Sequence, residues 1–227
     1  MYGMTVNSHD DDTLRIAYIG DSWAYLHQEI PTIMDSLITA GTNMPVVIRN
    51  AGVGGLASKE IYYSIFKNKL FRDLVEWGPD FCFVSAGIND TNRKLGRSNY
   101  KENMRLIIGL LLANDITPVI MEIPLYDIWY TFRYMDFKTM LRSVRSMIWT
   151  LSPVNCIDDY SSALNELIVE QQWQNDIIII RRQCWNPHGY NGQKDLYTND
   201  RMHINLFGYH LLDSCIALEI ISFLKNK

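Results

Sequence analysis

The sequence predicts a three-layer α/β/α sandwich around a central, mostly parallel five-stranded sheet. Short runs of apolar, β-branched residues alternate with longer segments of helical periodicity. The short runs are nearly continuous in apolar residues, as in strands buried on both faces. Each run also ends in a turn former or an acidic pair. Strands that alternate with helices form a parallel sheet through crossover connections, and the helices then cover both faces.

Taken in order, Leu14 to Ile19 is the first run and stops at Gly20. Val46 to Ile48 is the second and stops near Asn50. Phe81 to Ser85 leads to Gly87, Thr117 to Ile123 leads to Pro124, and Val154 to Ile157 leads to Asp158 and Asp159. Between them, Ser58 is placed to cap a helix with Glu60 in its first turn. Ile61, Ile65, Leu70 and Leu74 follow at helical spacing, until Trp77-Gly78-Pro79 stops it. Further helices are predicted over Tyr100 to Asn114, Phe137 to Leu151, Ser161 to Trp173 and about Leu206 to Leu224. The stretch from Gln174 to Asn199 breaks the rhythm. It holds Ile177 to Ile180, which reads as an extra strand, and then a loop rich in Asn, Gly, Trp and Tyr; loops this long in a compact domain tend to be functional or mobile. No linker or composition shift marks a second domain. A single domain is expected over 13–227, behind a flexible tail over 1–12 that includes His9.

Of 227 residues, 48% are hydrophobic and 20% charged, an ordinary globular balance. Twenty-one basic residues against 25 acidic ones give a net charge of −4, with no basic cluster of the kind that binds nucleic acid. No apolar run reaches bilayer length, so no membrane span is expected, and no internal repeat is found. The start, MYGMTVNSHDDDTLR, has neither a basic n-region nor an apolar h-region. As written it reads as cytoplasmic, or as secreted or periplasmic if a leader has been removed. The four cysteines form no CxxC pair, which argues against a zinc or thioredoxin-like site. Cys82 and Cys215 lie in apolar runs and read as buried thiols. Cys156 and Cys184 pair only if the fold brings them together.

In an open parallel sheet, ligands bind beyond the carboxyl ends of the strands. There the chain carries Gly20-Asp21-Ser22-Trp23, then Asn50-Ala51-Gly52-Val53-Gly54-Gly55, then Gly87-Ile88-Asn89-Asp90. Asp200-Arg201-Met202-His203 stands just before the last helix. These pieces suit acyl transfer. Ser22 is a candidate nucleophile, His203 its base, and Asp200, three residues earlier, the group that fixes the imidazole tautomer. The backbone N–H groups of Ser22 and Gly55 and the side-chain amide of Asn89 are candidate oxyanion donors.

Four blocks in this order, Gly20-Asp21-Ser22, Asn50-x-Gly52-x-x-Gly55, Gly87-x-Asn89-Asp90 and Asp200-x-x-His203, resemble the SGNH hydrolase superfamily of GDSL esterases and lipases. The resemblance spans nearly the whole chain. It implies a flavodoxin-like sandwich and a Ser-His-Asp hydrolase without metal or cofactor. It assigns the nucleophile to Ser22, the base to His203, the orienting acid to Asp200, and oxyanion donors to Ser22, Gly55 and Asn89. The chain departs from the family pattern at adjacent Gly54 and Gly55, at Trp23 after the serine, and at Arg201, where many members carry glycine or a small residue. The α/β-hydrolase elbow GxSxG fits worse, because Ala24 holds its last position.

Blander readings compete. Ser22 can be a helix cap, the second block a plain turn, and Asp200 a charge at a helix start; Asp90 reads as structural. His27, His188 and His210 have no comparable setting, and His210 reads as a packed helix residue. After the fourth strand, Pro124-Leu125-Tyr126-Asp127-Ile128-Trp129-Tyr130 reaches the same sheet edge as Ser22. Tyr126 and Trp129, with Trp23 and Trp185, are expected as an aromatic wall that stacks on a sugar or lines an acyl pocket, against a plain packed loop. The leading expectation is deacetylation of a carbohydrate or similar small ester. The rivals are a lipid or aryl esterase, acyl transfer to an acceptor other than water, and a non-catalytic glycan-binding module.

Overall fold

The computed structural model describes residues 13–226; the N-terminal stretch read as a tail lies outside them. Five strands, β1 (Leu14–Gly20), β2 (Val46–Asn50), β3 (Phe81–Ser85), β4 (Thr117–Met121) and β5 (Ile178–Ile180), form one parallel sheet in the order β2-β1-β3-β4-β5. Ile16 pairs with Ile48 on one side and Phe81 on the other, and Ile120 pairs with Ile179. Every residue of the central strand β3 is buried, whereas the edge strand β2 alternates half-buried and exposed residues. Alternation of this period means that one face of the sheet is covered less than the other at this edge.

The helices are α1 (Ser22–Leu26), α2 (Met34–Thr42), α3 (Ser58–Lys67), α4 (Lys69–Glu76), α5 (Ile88–Arg93), α6 (Arg97–Leu112), α7 (Ile128–Arg133), α8 (Phe137–Thr150), α9 (Ile157–Glu170), α10 (Arg182–Trp185), α11 (Gly189–Gly192) and α12 (Leu206–Asn226). Helix α2 packs on α12 and β2, and α12 reaches β5. On the other side α3 meets α4 and α6, and α6 meets α9 and β4. These two layers enclose the sheet. Helix α12 is long and apolar enough to cross a bilayer by length and composition, yet its Leu212, Cys215, Ile216 and Ile220 are buried in the core. Its Asp213 is also buried, 2.6 Å from Nε2 of His27, and accepts from Thr32 Oγ1 and Ile33 N. His27 is therefore a structural residue tying the end of α1 to α12.

Four expectations need correction. The fifth strand is Ile178–Ile180, and Val154 to Ile157 is not a strand. Asp158 and Asp159, read as a strand end, lie in the first turn of α9, where acidic side chains favour the helix N-terminus. The Val154 carbonyl accepts from the buried Lys94 amine instead of joining a ladder. The helix over Ser58 to Trp77 is two helices, because Asn68 adopts extended backbone and its Oδ1 caps α4 by accepting from Leu70 N. Ser58 is not the cap of α3 but its first residue, bonded through N–H and hydroxyl to buried Asp90. Finally, Cys215 is not a free thiol and Cys156 does not pair with Cys184. The disulfide is Cys184–Cys215, across 31 residues, and it fastens α10 to α12. Cys156 is buried beside Lys94, with Sγ 3.7 Å from Nζ.

Candidate active site

The carboxyl ends of β1, β2 and β3 lie side by side, so the loops that follow them converge. Asp21 makes the first of these loops. Its Oδ1 accepts from Trp23 N at 3.0 Å and from Ser85 Oγ at 2.7 Å, and its own N–H donates to Ser85 O. The carboxylate thus caps α1 and pins its start to β3, which leaves Ser22 as the first helical residue. Burial pushes the Asp21 carboxyl up to about 6, and the hydrogen bonds from Ser85 and Trp23 oppose that rise.

The second loop is stapled to α1 by Asn50, whose Nδ2 donates to Ala24 O and whose Oδ1 accepts from Gly52 N, both at 2.7 Å. A Cβ on Gly52 would stand 2.2 Å from Tyr25 N, so only glycine allows this approach. Gly55 is glycine for a different reason. Space around it is open, but its φ is +81°, whereas Gly54 has no positive φ. Arg93 holds the Gly55 carbonyl at 2.5 Å while its other nitrogen bonds both Glu60 carboxylate oxygens. Asn89, at the start of α5, donates from Nδ2 to Leu56 O at 3.0 Å, which joins the second and third loops. Among the described residues, the backbone N–H groups of Ser22 and Gly55 donate to no protein acceptor.

His203 arrives from the far end of the sequence on a tight turn. An isolated antiparallel bridge between Tyr197 and Ile204 closes the turn, and Thr198 N donates to His203 O inside it. Asp200 shapes it. Its Oδ1 accepts from Thr198 Oγ1, Met202 N and His203 N at 2.7, 2.9 and 2.9 Å. Its Oδ2 accepts from His203 Nδ1 at 2.5 Å, and His203 Nε2 lies 2.8 Å from Ser22 Oγ. Burial alone would raise the Asp200 carboxyl, but hydrogen bonds from His203, Met202 and Thr198 outweigh it and hold the group well below the usual range. It therefore stays an anion against the imidazole. Arg201 occupies the left-handed region at φ +60°, which explains why a glycine suits that position.

The aromatic side chains divide differently from the expected wall. Trp23 and Trp185 are buried and pack edge to face at 5.7 Å, with Tyr209 behind Trp23. Tyr126 is buried, its hydroxyl bonded to Thr91 and Asn92. These three belong to the core: the disulfide fastens α10, which carries Trp185, to α12, and the Tyr126 hydroxyl is bonded to α5. Trp129 is exposed and lines a cavity of about 590 Å³ with Asp127, Tyr130, Phe132, Arg133, Tyr134, Met140 and Arg201. Arg201 is the wall shared with the Asp200–His203 turn. Its guanidinium stacks 3.9 Å from the Tyr130 ring centroid and pairs with Asp127 at 3.2 Å. The sequence singled out neither Thr198 nor Arg93; Arg201, Asp127 and Tyr130 stood out separately, and only the fold joins them into a cluster. Asp127 caps α7, its Oδ1 accepting from the N–H of Tyr130 three residues on.

No protein-family model matches the sequence, and no curated protein matches it. Solved structures do. A lipase/acylhydrolase from Enterococcus faecalis superposes with a TM-score of 0.63 at 17% identity, over 92% of this chain and 96% of that one. A GDSL-like lipase from Bacteroides thetaiotaomicron gives 0.58 at 16%, over 94% and 89%. An acetylxylan esterase from Geobacillus stearothermophilus gives 0.59 at 16%, over 91% and 94%. The chain has the fold of these GDSL-type lipases and esterases.

Proposed function

We propose that this protein is a carboxylic ester hydrolase with Ser22 as nucleophile. One observation carries the reading: an unbroken relay from Ser22 Oγ to His203 Nε2 and from His203 Nδ1 to Asp200 Oδ2, between segments 181 residues apart. In the first step Ser22 Oγ attacks the ester carbonyl while His203 Nε2 takes its proton. The N–H groups of Ser22 and Gly55, with the Asn89 amide, stabilise the oxyanion. Collapse of the intermediate breaks the ester C–O bond, and His203 gives the proton to the departing alcohol. Water then attacks the acyl-serine with His203 again as base, releasing the acid and restoring Ser22. Asp200 remains an anion throughout and balances the imidazolium.

The substrate we propose is a short acyl, typically acetyl, ester of a carbohydrate. The cavity beside the Asp200–His203 turn supports this, because its aromatic faces are edged by Asp127, Arg133 and Arg201. Such a lining suits a polyhydroxylated group better than an alkyl tail. The Cys184–Cys215 bridge supports a secreted or periplasmic setting over the cytoplasm, where thiols are kept reduced.

The test is hydrolysis of a p-nitrophenyl ester series, from acetyl upward, by the wild type and Ser22→Ala, together with acetate release from acetylated oligosaccharides. We expect short esters to be preferred and all turnover to vanish in Ser22→Ala. Turnover that survives in Ser22→Ala overturns the nucleophile. Long-chain esters cleaved well while acetylated sugars stay intact overturn the carbohydrate.

A further inference from the structure

Helix α8 leaves its larger apolar stripe on the side away from the body. The side it turns toward the body carries half-buried Met140 and Met147 and is tied down by small polar groups: Ser143 Oγ donates to Asn92 O, and Ser146 and Thr150 donate to Lys94 O. Ser143 is its only buried residue. Most of its large apolar residues nevertheless face outward. Phe137, Leu141, Val144 and Ile148 recur at i, i+4, i+7 and i+11, one stripe of the helix, and Leu151 continues it. Phe137 is 69% exposed, Ile148 71% and Leu151 89%. Exposed Tyr134 and Trp129 lie just before the helix.

A second stripe runs beside the first. Lys138, Arg142, Arg145 and Trp149 each follow an apolar residue by one position, about 100° further round the helix. Phe137–Thr150 holds three basic residues and no acidic one, in a chain whose net charge is −4. Among the described residues, none of Lys138, Arg142 and Arg145 takes part in an ion pair, nor does Arg133 just before them.

We infer that α8 docks the protein on an anionic lipid surface. An apolar stripe lies at the acyl boundary while the adjacent basic stripe reaches the headgroups, and Trp149 sits at the level between them. Charge complementarity separates this occupant from others. A second copy would set two basic stripes against each other, a like-charge contact that disfavours pairing. A protein that engulfs a helix is blocked, because Ser143, Ser146 and Thr150 tie the opposite side to the body. Met140 of α8 also lines the cavity that Arg201 shares with the Asp200–His203 turn, so docking brings that cavity to the lipid edge. The inference concerns binding alone and stands apart from the ester chemistry.

The test is flotation of the whole protein with vesicles of phosphatidylcholine, and with vesicles in which about one lipid in three is phosphatidylglycerol. We expect capture by the anionic vesicles, weaker capture by neutral ones, and a loss as salt rises. Replacing Lys138, Arg142 and Arg145 together by Glu should weaken binding roughly a hundredfold or more, from the contribution of each basic residue at an acidic surface. Ile148→Asp should abolish it. All four positions are exposed, so circular dichroism and melting temperature should match the wild type. Absence of flotation, equal capture by both vesicle types, or binding untouched by these variants overturns the proposal. So does concentration-dependent self-association that Ile148→Asp relieves, which gives the face to a second copy.

Discussion

Replacing Asp200 by Asn isolates the relay from the turn that carries it. The two carboxylate oxygens have separate duties. Oδ1 holds the turn through Thr198 Oγ1, Met202 N and His203 N, whereas Oδ2 meets only His203 Nδ1. In Asp200→Asn the carbonyl can keep the Oδ1 bonds, and the new NH2 faces Nδ1. That group can only donate, so Nδ1 must accept and the ring proton moves to Nε2. Nε2 then cannot take the Ser22 proton. A wrong tautomer of this kind lowers kcat about 10⁴-fold, which corresponds to about 5.5 kcal/mol of barrier. The side chain is half exposed, so the stability loss should stay near 1 kcal/mol. The assay is kcat for p-nitrophenyl acetate, with urea unfolding as the control for folding. A variant that folds normally and keeps kcat within tenfold of the wild type would refute the relay. Asp200→Ala is a poorer probe, because it removes the Oδ1 bonds as well and unsettles the turn.

The adjacent glycines should separate by backbone rather than by space: Gly55→Ala costs about 1–2 kcal/mol from its left-handed φ and lowers kcat, while Gly54→Ala leaves stability unchanged, as read from paired melts and rates. Asp21 has a folded pKa near 6 against 3.8 unfolded, so the native state holds the proton longer and stability falls as pH rises from about 4 to 6. The loss is about 3 kcal/mol by the linkage relation, and urea titrations at several pH values should show it in the wild type and not in Asp21→Asn. Replacing Cys184 and Cys215 together by Ser should cost about 3–4 kcal/mol, the loop entropy for 31 residues, seen as a lower urea midpoint that reductant reproduces in the wild type. Arg201→Gly should relieve the backbone strain at φ +60° yet open the cavity wall, raising KM for glycan esters more than for p-nitrophenyl acetate.

What the sequence determined by itself is local. All five strands were legible as short apolar runs, Ile177 to Ile180 among them as an extra one, and Phe81–Ser85 coincides with its predicted bounds. The loops that hold Ser22, Gly55, Asn89 and the Asp200–His203 turn were legible because turn chemistry at strand and helix ends is written in neighbouring residues. The tertiary structure decided the rest. Val154 to Ile157 has the composition of a strand, but strand pairing is a contest for a sheet edge, and Ile178–Ile180 occupies the place beside β4. Cysteine partners depend on which helices meet, and α10 meets α12. Trp23 and Trp129 are alike in sequence terms; burial of one and exposure of the other follow from what packs over them. The outward stripe of α8 also looks like any core helix until its polar side is seen bonded to the carbonyls of Asn92 and Lys94. Periodicity fixes that a helix has two faces, and only the neighbours fix which one is turned to water.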